Sequence, residues 1–321
     1  MSFTAKDVQA LRELTGAGMM DCKKALLSCD GDQAKAIDYL REKGLAAAAK
    51  KSGRIAAEGA CCAVACPQGC GGSVVEVNSE TDFAAKSEKF QAFVRQIAVV
   101  VGKEAPEDLP RLMAAEYAPG LTVEQALREH IYTIGENIVI RRFSRNDKYL
   151  NAPYIHAGGK IAVLVMLDVS DSLKGSPDVA ELGRFVAMQV AAMRPLWLGD
   201  ADVCPQTLEK EREIITAQVE QEEKDRAEEA AAKGLPYKAK PPQVTEKIIE
   251  GRVRKYLDEV CLLRQPFVRE NSLSVAQYVA QRAKELGGGV AVVGFERFET
   301  GEGLAKREDD FAAEVARAAQ G

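Results

Sequence analysis

The run Val74-Val75-Glu76-Val77-Asn78-Ser79-Glu80-Thr81-Asp82-Phe83-Ala84-Ala85 reads as an alternating strand that runs out into a polar turn. Phe83 stands there alone between acids and small residues, the position of an exposed wedge. Just downstream, Phe90, Phe93, Val94, Ile97 and Val101 recur at helical spacing, and upstream two alternating stretches flank Pro67-Gln68-Gly69-Cys70-Gly71-Gly72, a hairpin with its turn. The segment therefore reads strand, turn, strand, helix. The same order returns later: His156-Ala157-Gly158-Gly159-Lys160 leads to a strand over 161–169, a polar loop over 170–177, and a helix carrying Leu182, Phe185, Val186, Gln189 and Val190. This internal repeat predicts two related halves of α+β class.

At the start of the chain, Thr4 and Asp7 have the spacing of a capping box, and Val8, Leu11 and Leu14 follow at helical spacing up to Gly16. After the Gly16-Ala17-Gly18 turn, Cys22, Ala25, Leu26 and Cys29 share one face of a second helix. Asp30-Gly31-Asp32 recaps the chain, and Ala36, Ile37 and Leu40 line a third helix expected to end at Gly44, with an Ala- and Lys-rich connector over 46–52. A bundle this small is marginal alone, and an exposed apolar patch on it would be a docking surface. Between Pro205 and Cys261 the pattern changes to long, highly charged helix, broken at Gly234-Leu235-Pro236-Tyr237-Lys238-Ala239-Lys240-Pro241-Pro242, with Ile249, Val253, Tyr256 and Val260 as an apolar seam on the returning arm. That predicts a protruding antiparallel helical hairpin. Gln265-Pro266-Phe267-Val268-Arg269 then leads to a helix starting near Ser274 and a strand over 289–299. A last helix over 309–319 has Phe311, Val315 and Ala318 on one face.

The chain has 321 residues, 46% of them hydrophobic, enough to bury a core over two or three domains. It contains no run of about 18 apolar residues, and the first seven residues include an early acid and no apolar stretch, so neither a membrane span nor a secretory signal is expected and the chain reads as cytoplasmic. The net charge of -5, with both signs interleaved, lacks the footprint of a nucleic-acid binder. Eight scattered cysteines without a secretory signal are expected to be free thiols. Cys61, Cys62, Cys66 and Cys70 offer four thiols to a zinc ion, but no C-x2-C pair occurs and strand neighbours face opposite sides, so small apolar fillers are the preferred reading. Only two histidines occur, His130 and His156, neither in a catalytic motif, and no phosphate loop is present. Glu80 and Asp82 fit a solvated strand end better than an acid–base pair. No catalytic residue, cofactor or metal is expected.

Two runs carry a resemblance to a known family: the Val74 to Ala85 stretch, and Leu11-Arg12-Glu13-Leu14-Thr15-Gly16-Ala17-Gly18-Met19-Met20-Asp21-Cys22-Lys23-Lys24-Ala25-Leu26. Together they closely resemble translation elongation factor Ts, the nucleotide-exchange factor of elongation factor Tu, and the likeness covers nearly the whole length. The resemblance implies a ubiquitin-associated-like three-helix bundle over 1–54, a core N-subdomain over 55–146, a core C-subdomain over 147–203 and 263–302, a coiled-coil or dimerisation hairpin over 204–262, and a C-terminal module over 303–321. It implies a non-enzymatic exchange factor that binds Tu with GDP. Phe83 would enter a pocket in the nucleotide domain of Tu while Thr81 and Asp82 disturb the region that orders the magnesium ion, and GTP would then rebind; Ala84 is smaller than the valine frequent there. Further contacts implied with Tu are Arg12, Met19, Met20 and Lys23; Ile134 and Gly135 within Thr133-Ile134-Gly135-Glu136-Asn137; His156; Val268 and Arg269; and Phe311 and Val315. Burying one Phe supplies about 2 to 3 kcal/mol, roughly 30- to 150-fold in an equilibrium constant, so such an interface needs several patches.

Met19 and Met20 cannot both point into so small a core, so one is expected to face solvent; pattern alone leaves ordinary gap-fillers as an equal reading for both, and the resemblance favours a binding role. His156 reads equally as a strand-entry residue. The hairpin is either a solvated arm or the surface of a homodimer or a 2:2 assembly with Tu. A scaffold, in which the bundle recruits another protein and the arm oligomerises, is the alternative of a different class. The two readings part at Phe83, which only the exchange factor needs.

Overall fold

The computed structural model describes residues 3–66 and 71–305. Phe311, Val315 and the helix expected around them lie outside the described residues, as do residues 67–70 of the hairpin turn. The chain divides into two units, one of Met1–Leu164 with Glu296–Gly321 and one of Val165–Phe295.

The first unit begins with α1 (Ala5–Thr15), α2 (Met19–Ser28) and α3 (Gln33–Lys51). Thr4 and Asp7 form the reciprocal capping box that opens α1, and Gly16 closes it in the left-handed region at φ 64°. Val8, Leu11, Cys22, Ala25, Leu26, Ala36 and Leu40 make the bundle core. Two expectations are corrected. Leu14 is exposed instead of joining that stripe, and α3 runs through Gly44 to Lys51, because one glycine costs a helix only about 1 kcal/mol and the Ala- and Lys-rich stretch beyond it favours helix. The extra turns let α3 pack on α7 (Val123–Ile134), where Lys51 Nζ donates to the Ile131 carbonyl at 3.2 Å.

After the bundle come β1 (Glu58–Ala65), β2 (Gly72–Ser79), α4 (Asp82–Lys86), α5 (Glu88–Glu104), α6 (Leu109–Ala114), β3 (Glu116–Ala118), β4 (Leu121–Thr122), α7, β5 (Val139–Asn146) and β6 (Leu150–His156). The sheet order is β1-β2-β5, with β2 antiparallel to both neighbours. All eight residues of β2 are buried. Val75 and Val77 pack with Phe90, Phe93 and Ile97 of α5, whereas Val74 packs with Ala162, Leu164 and Phe298. Both faces are covered, which is why the strand's polar positions are inside as well.

Glu76 is the costliest of these, a fully buried carboxylate. It is matched by Arg141 at 2.9 Å and Arg142 at 2.6 Å from β5, by Asn78 Nδ2 at 3.2 Å and by the Gly301 amide at 2.8 Å. A buried charge needs such a complete set of donors. Gly301 stands at φ 73°, and a Cβ there would meet the Ala57 carbonyl oxygen at 2.3 Å.

The cysteines of β1 separate as strand geometry requires: Cys61 faces the Val74 cluster and Cys62 the α5 side. Cys22, Cys29, Cys61, Cys62, Cys204 and Cys261 are free thiols. The expectation that every thiol is free fails at Cys66, which is disulfide-bonded at the closed end of the hairpin, where its amide donates to the Gly71 carbonyl at 2.8 Å. Cys70 lies outside the described residues. Among the described residues no cluster of His, Cys, Asp and Glu has the makings of a metal site, and no helix is long and apolar enough to cross a membrane.

The second half of the chain supplies β7 (Ile161–Val169), α8 (Pro177–Met193), α9 (Pro205–Ala232), α10 (Pro242–Val260), β8 (Pro266–Phe267), β9 (Glu270–Ser274), α11 (Val275–Glu285) and β10 (Val290–Glu299). A three-stranded sheet is ordered β10-β7-β6. It repeats the plan of the first sheet, with the second strand of a sequential pair in the centre and a later strand on its far side, so the protein is a mixed α+β fold. Within the second unit, α9 and α10 pack through Ile215, Val219 and Ile249. The bend between them is anchored on Glu223, which accepts from the Tyr237 hydroxyl, from the Lys240 amide at 3.0 Å and from Lys240 Nζ at 2.8 Å. At the other end, the Leu196 amide donates to the Val260 carbonyl at 2.8 Å, so α10 returns to where α9 began.

Candidate functional site

The end of β2 delivers the chain to a short helical turn instead of a plain loop. Thr81 is the N-cap of α4, its hydroxyl accepting from the Ala84 amide at 3.2 Å, and the Ala84-Ala85 pair suits helix. Ala84 and Ala85 are buried under the turn, so Ala84 is a base on which the tip sits. Phe83 points the other way and is 83% exposed. A Phe so placed holds most of its apolar surface in water, and docking into any apolar pocket would release that unfavourable contact.

Polar contacts fix the turn from both ends. Asp82 Oδ2 accepts from Lys86 Nζ at 2.6 Å, and this bond lowers the carboxyl's pKa below its ordinary value and raises that of the ammonium. Gln91 Nε2 donates to the Ala85 carbonyl at 2.7 Å. On the other side Glu136 reaches across from the turn after α7 and accepts from the Glu80 and Thr81 amides at 3.1 and 3.0 Å and from the Thr81 hydroxyl at 2.6 Å. Gly135 makes that turn possible by capping α7 in the left-handed region at φ 89°. Ile134, half-buried, packs against the α5 core beside it. The tip and the Ile134-Gly135 patch are therefore neighbours.

The remaining sites are spread out. Arg12 and Lys23 are exposed on α1 and α2, and Met19 and Met20 are 42% and 62% exposed, so both face solvent where one was expected to. Leu14 and Leu27 of the same two helices are also exposed. His156 ends β6, exposed, with Nδ1 3.0 Å from the Tyr154 hydroxyl. In the second unit, buried Gln189 accepts from the Val268 amide at 2.8 Å and donates to the Pro266 carbonyl at 3.2 Å, which pins the strand end that presents Val268. The Arg269 guanidinium lies 3.7 Å from the Phe185 ring centroid, a cation–π contact that orients it. Glu136, Asn137 and Arg54 were not singled out by sequence reasoning. Glu136 and Asn137 stood inside a quoted motif, but their partners are more than fifty residues away.

A sequence profile described as "Elongation factor TS" matches residues 80–302, opening on the tip itself. Elongation factor Ts of Clostridium perfringens is 44% identical over 317 residues, covering 98% of both chains. That of Trichlorobacter lovleyi is 45% identical over 325 residues, covering 99% of both. The chain belongs to the elongation factor Ts family. Elongation factor Ts of Clostridioides difficile is also similar, at 43% identity over 98% of each chain. Family membership makes this a translation elongation factor and turns attention from chemistry to surfaces. At the tip an exposed aromatic sits on a turn held by polar contacts from both sides.

Proposed function

We propose that this protein is the guanine-nucleotide exchange factor of elongation factor Tu. It binds Tu carrying GDP, inserts the Thr81-Asp82-Phe83 tip and dislocates the magnesium ion, so that GDP leaves and GTP rebinds. The observation that carries this reading is Phe83, largely exposed to solvent on an ordered helical turn. No bond is made or broken in such a role, which suits a surface of exposed apolar and basic residues. Exchange is a coupling between two ligands of one partner: the factor weakens GDP binding by the same ratio by which GDP weakens binding of the factor, so each drives the other off. A nucleotide held by backbone donors and magnesium is vulnerable to small displacements of either.

In this reading Arg12, Met19, Met20 and Lys23 of the bundle, Ile134 and Gly135 beside the tip, His156, and Val268 with Arg269 form further contacts with Tu. The bundle over 1–54 and the hairpin over 204–262 act as separate docking modules in the cytoplasm. The test is the release rate of a fluorescent GDP analogue from elongation factor Tu in magnesium buffer, with the protein and with Phe83→Ala. Since Phe83 is exposed, the variant is expected to stay folded and lose most of the acceleration. No acceleration by the folded protein would reject the reading in favour of a scaffold.

A further inference from the structure

Two carboxylates cross between the tip and the turn after α7. Glu136 accepts the three hydrogen bonds already described, and Glu80 Oε1 accepts in return from the Asn137 amide at 2.6 Å and from Arg54 at 3.4 Å. Asn137 Nδ2 donates to the Arg54 carbonyl at 2.8 Å. The end of the bundle, the start of the tip and the end of α7 are thereby tied at one point.

We infer that Glu136, in exchange with Glu80, is a positioning residue that sets the direction in which Phe83 leaves the surface and ties that direction to the N-terminal bundle. The inference rests on the exchange-factor reading. A helix as short as α4, Asp82–Lys86, has no stability of its own, so its anchors decide its orientation. Glu136 takes the two amides just before it, which would otherwise lack acceptors. It also sets the Thr81 hydroxyl. With its one proton committed to Glu136 at 2.6 Å, that oxygen keeps its lone pairs for the Ala84 amide, which is the cap of α4. A glutamine at 136 keeps an acceptor for the two backbone amides only by turning its NH2 on the Thr81 hydroxyl, which then accepts on both lone pairs while its own proton loses the carboxylate, and the charge that strengthens all three bonds is gone.

The experiment compares the full chain with Glu136→Gln, Phe83→Ala and the double variant in GDP-analogue release from Tu, together with amide hydrogen exchange of Glu80 and Thr81. Glu136→Gln is expected to lower the acceleration about tenfold, equivalent to ~1.4 kcal/mol. It should also speed exchange of the two amides while β2 stays protected. The double variant should be no worse than Phe83→Ala, because Glu136 acts through Phe83. If Glu136→Gln folds poorly, Glu136→Asp, which keeps the charge but draws it back, is expected to fall between the two. Full acceleration by Glu136→Gln alongside loss in Phe83→Ala overturns this inference alone, as does an additive double variant. Full acceleration by Phe83→Ala overturns the wedge reading and this inference with it.

Discussion

Replacing Glu76 by alanine is expected to destabilise the first unit by about 3 kcal/mol, the lower part of the range for breaking a buried ion pair. The carboxylate is completely buried, while Arg141 and Arg142 are 24% and 32% exposed. Water can therefore partly resolvate the two guanidinium groups, and Arg142 keeps Glu302 at 3.2 Å, which places the cost below the upper limit. The Gly301 amide and Asn78 Nδ2 lose an acceptor at the same time. For a unit of this size about 1 kcal/mol moves a melting temperature by ~2–4 °C, so a downward shift of roughly 6–12 °C is predicted. Glu76→Gln, which keeps an acceptor, should cost less than half of this. Calorimetry is the appropriate assay. The protein's one tryptophan, Trp197, belongs to the second unit, and its fluorescence would report that unit's unfolding instead. A shift below about 2 °C for Glu76→Ala would refute the argument, since it would mean that the arginines and the Gly301 turn find equivalent partners without the carboxylate.

Burial pushes the Cys61 thiol up to about 12 and the Cys62 thiol up to about 11, so both should resist iodoacetamide at about pH 8 while exposed Cys204 is alkylated; peptide mass spectrometry checks this, and equal labelling of Cys61 and Cys204 would contradict it. His130 is stacked on Phe93 with ring centroids 4.2 Å apart, and burial holds its pKa below the ordinary imidazole value of 6.5. The fold thus prefers the neutral ring: its contribution is complete above that value and is lost as pH falls through 6.5 towards the depressed folded-state value. Urea midpoints near pH 7.5 and pH 5.5 should therefore converge in His130→Phe relative to the parent, and an unchanged difference would exclude His130 as a source of acid sensitivity.

Local signals were legible wherever the chain encodes its own boundaries. The Thr4 capping box, the Gly16 stop, the recap at Asp32 and the start of α11 at Ser274 all depend on residues three or four apart. Phe83 was legible because an aromatic among acids has no core to join. The stretch between α5 and β6 was harder. The α7 helix opens on a Thr122–Gln125 capping box and carries Val123, Ala126, Leu127 and Ile131 inward, a signal that was present but unread. β5 gave no apolar alternation, since its arginines are placed by a carboxylate on another strand. Leu14 misled for a related reason: helical spacing tells which residues share a face and is silent on whether anything covers that face. The carboxylate exchange around the tip joins segments 55 residues apart, and no local pattern could have revealed it.

The ordered tip also changes how binding energy is apportioned. A floppy loop that had to be immobilised on docking would lose about 1–2 kcal/mol of backbone entropy per residue, roughly 5–10 kcal/mol over a turn the length of α4. That exceeds the ~2–3 kcal/mol gained by burying one Phe, so an unstructured wedge would oppose its own insertion. Here the five residues of α4 are already immobilised when the chain folds. In the exchange-factor reading proposed above, the aromatic would enter and leave Tu without freezing or releasing backbone.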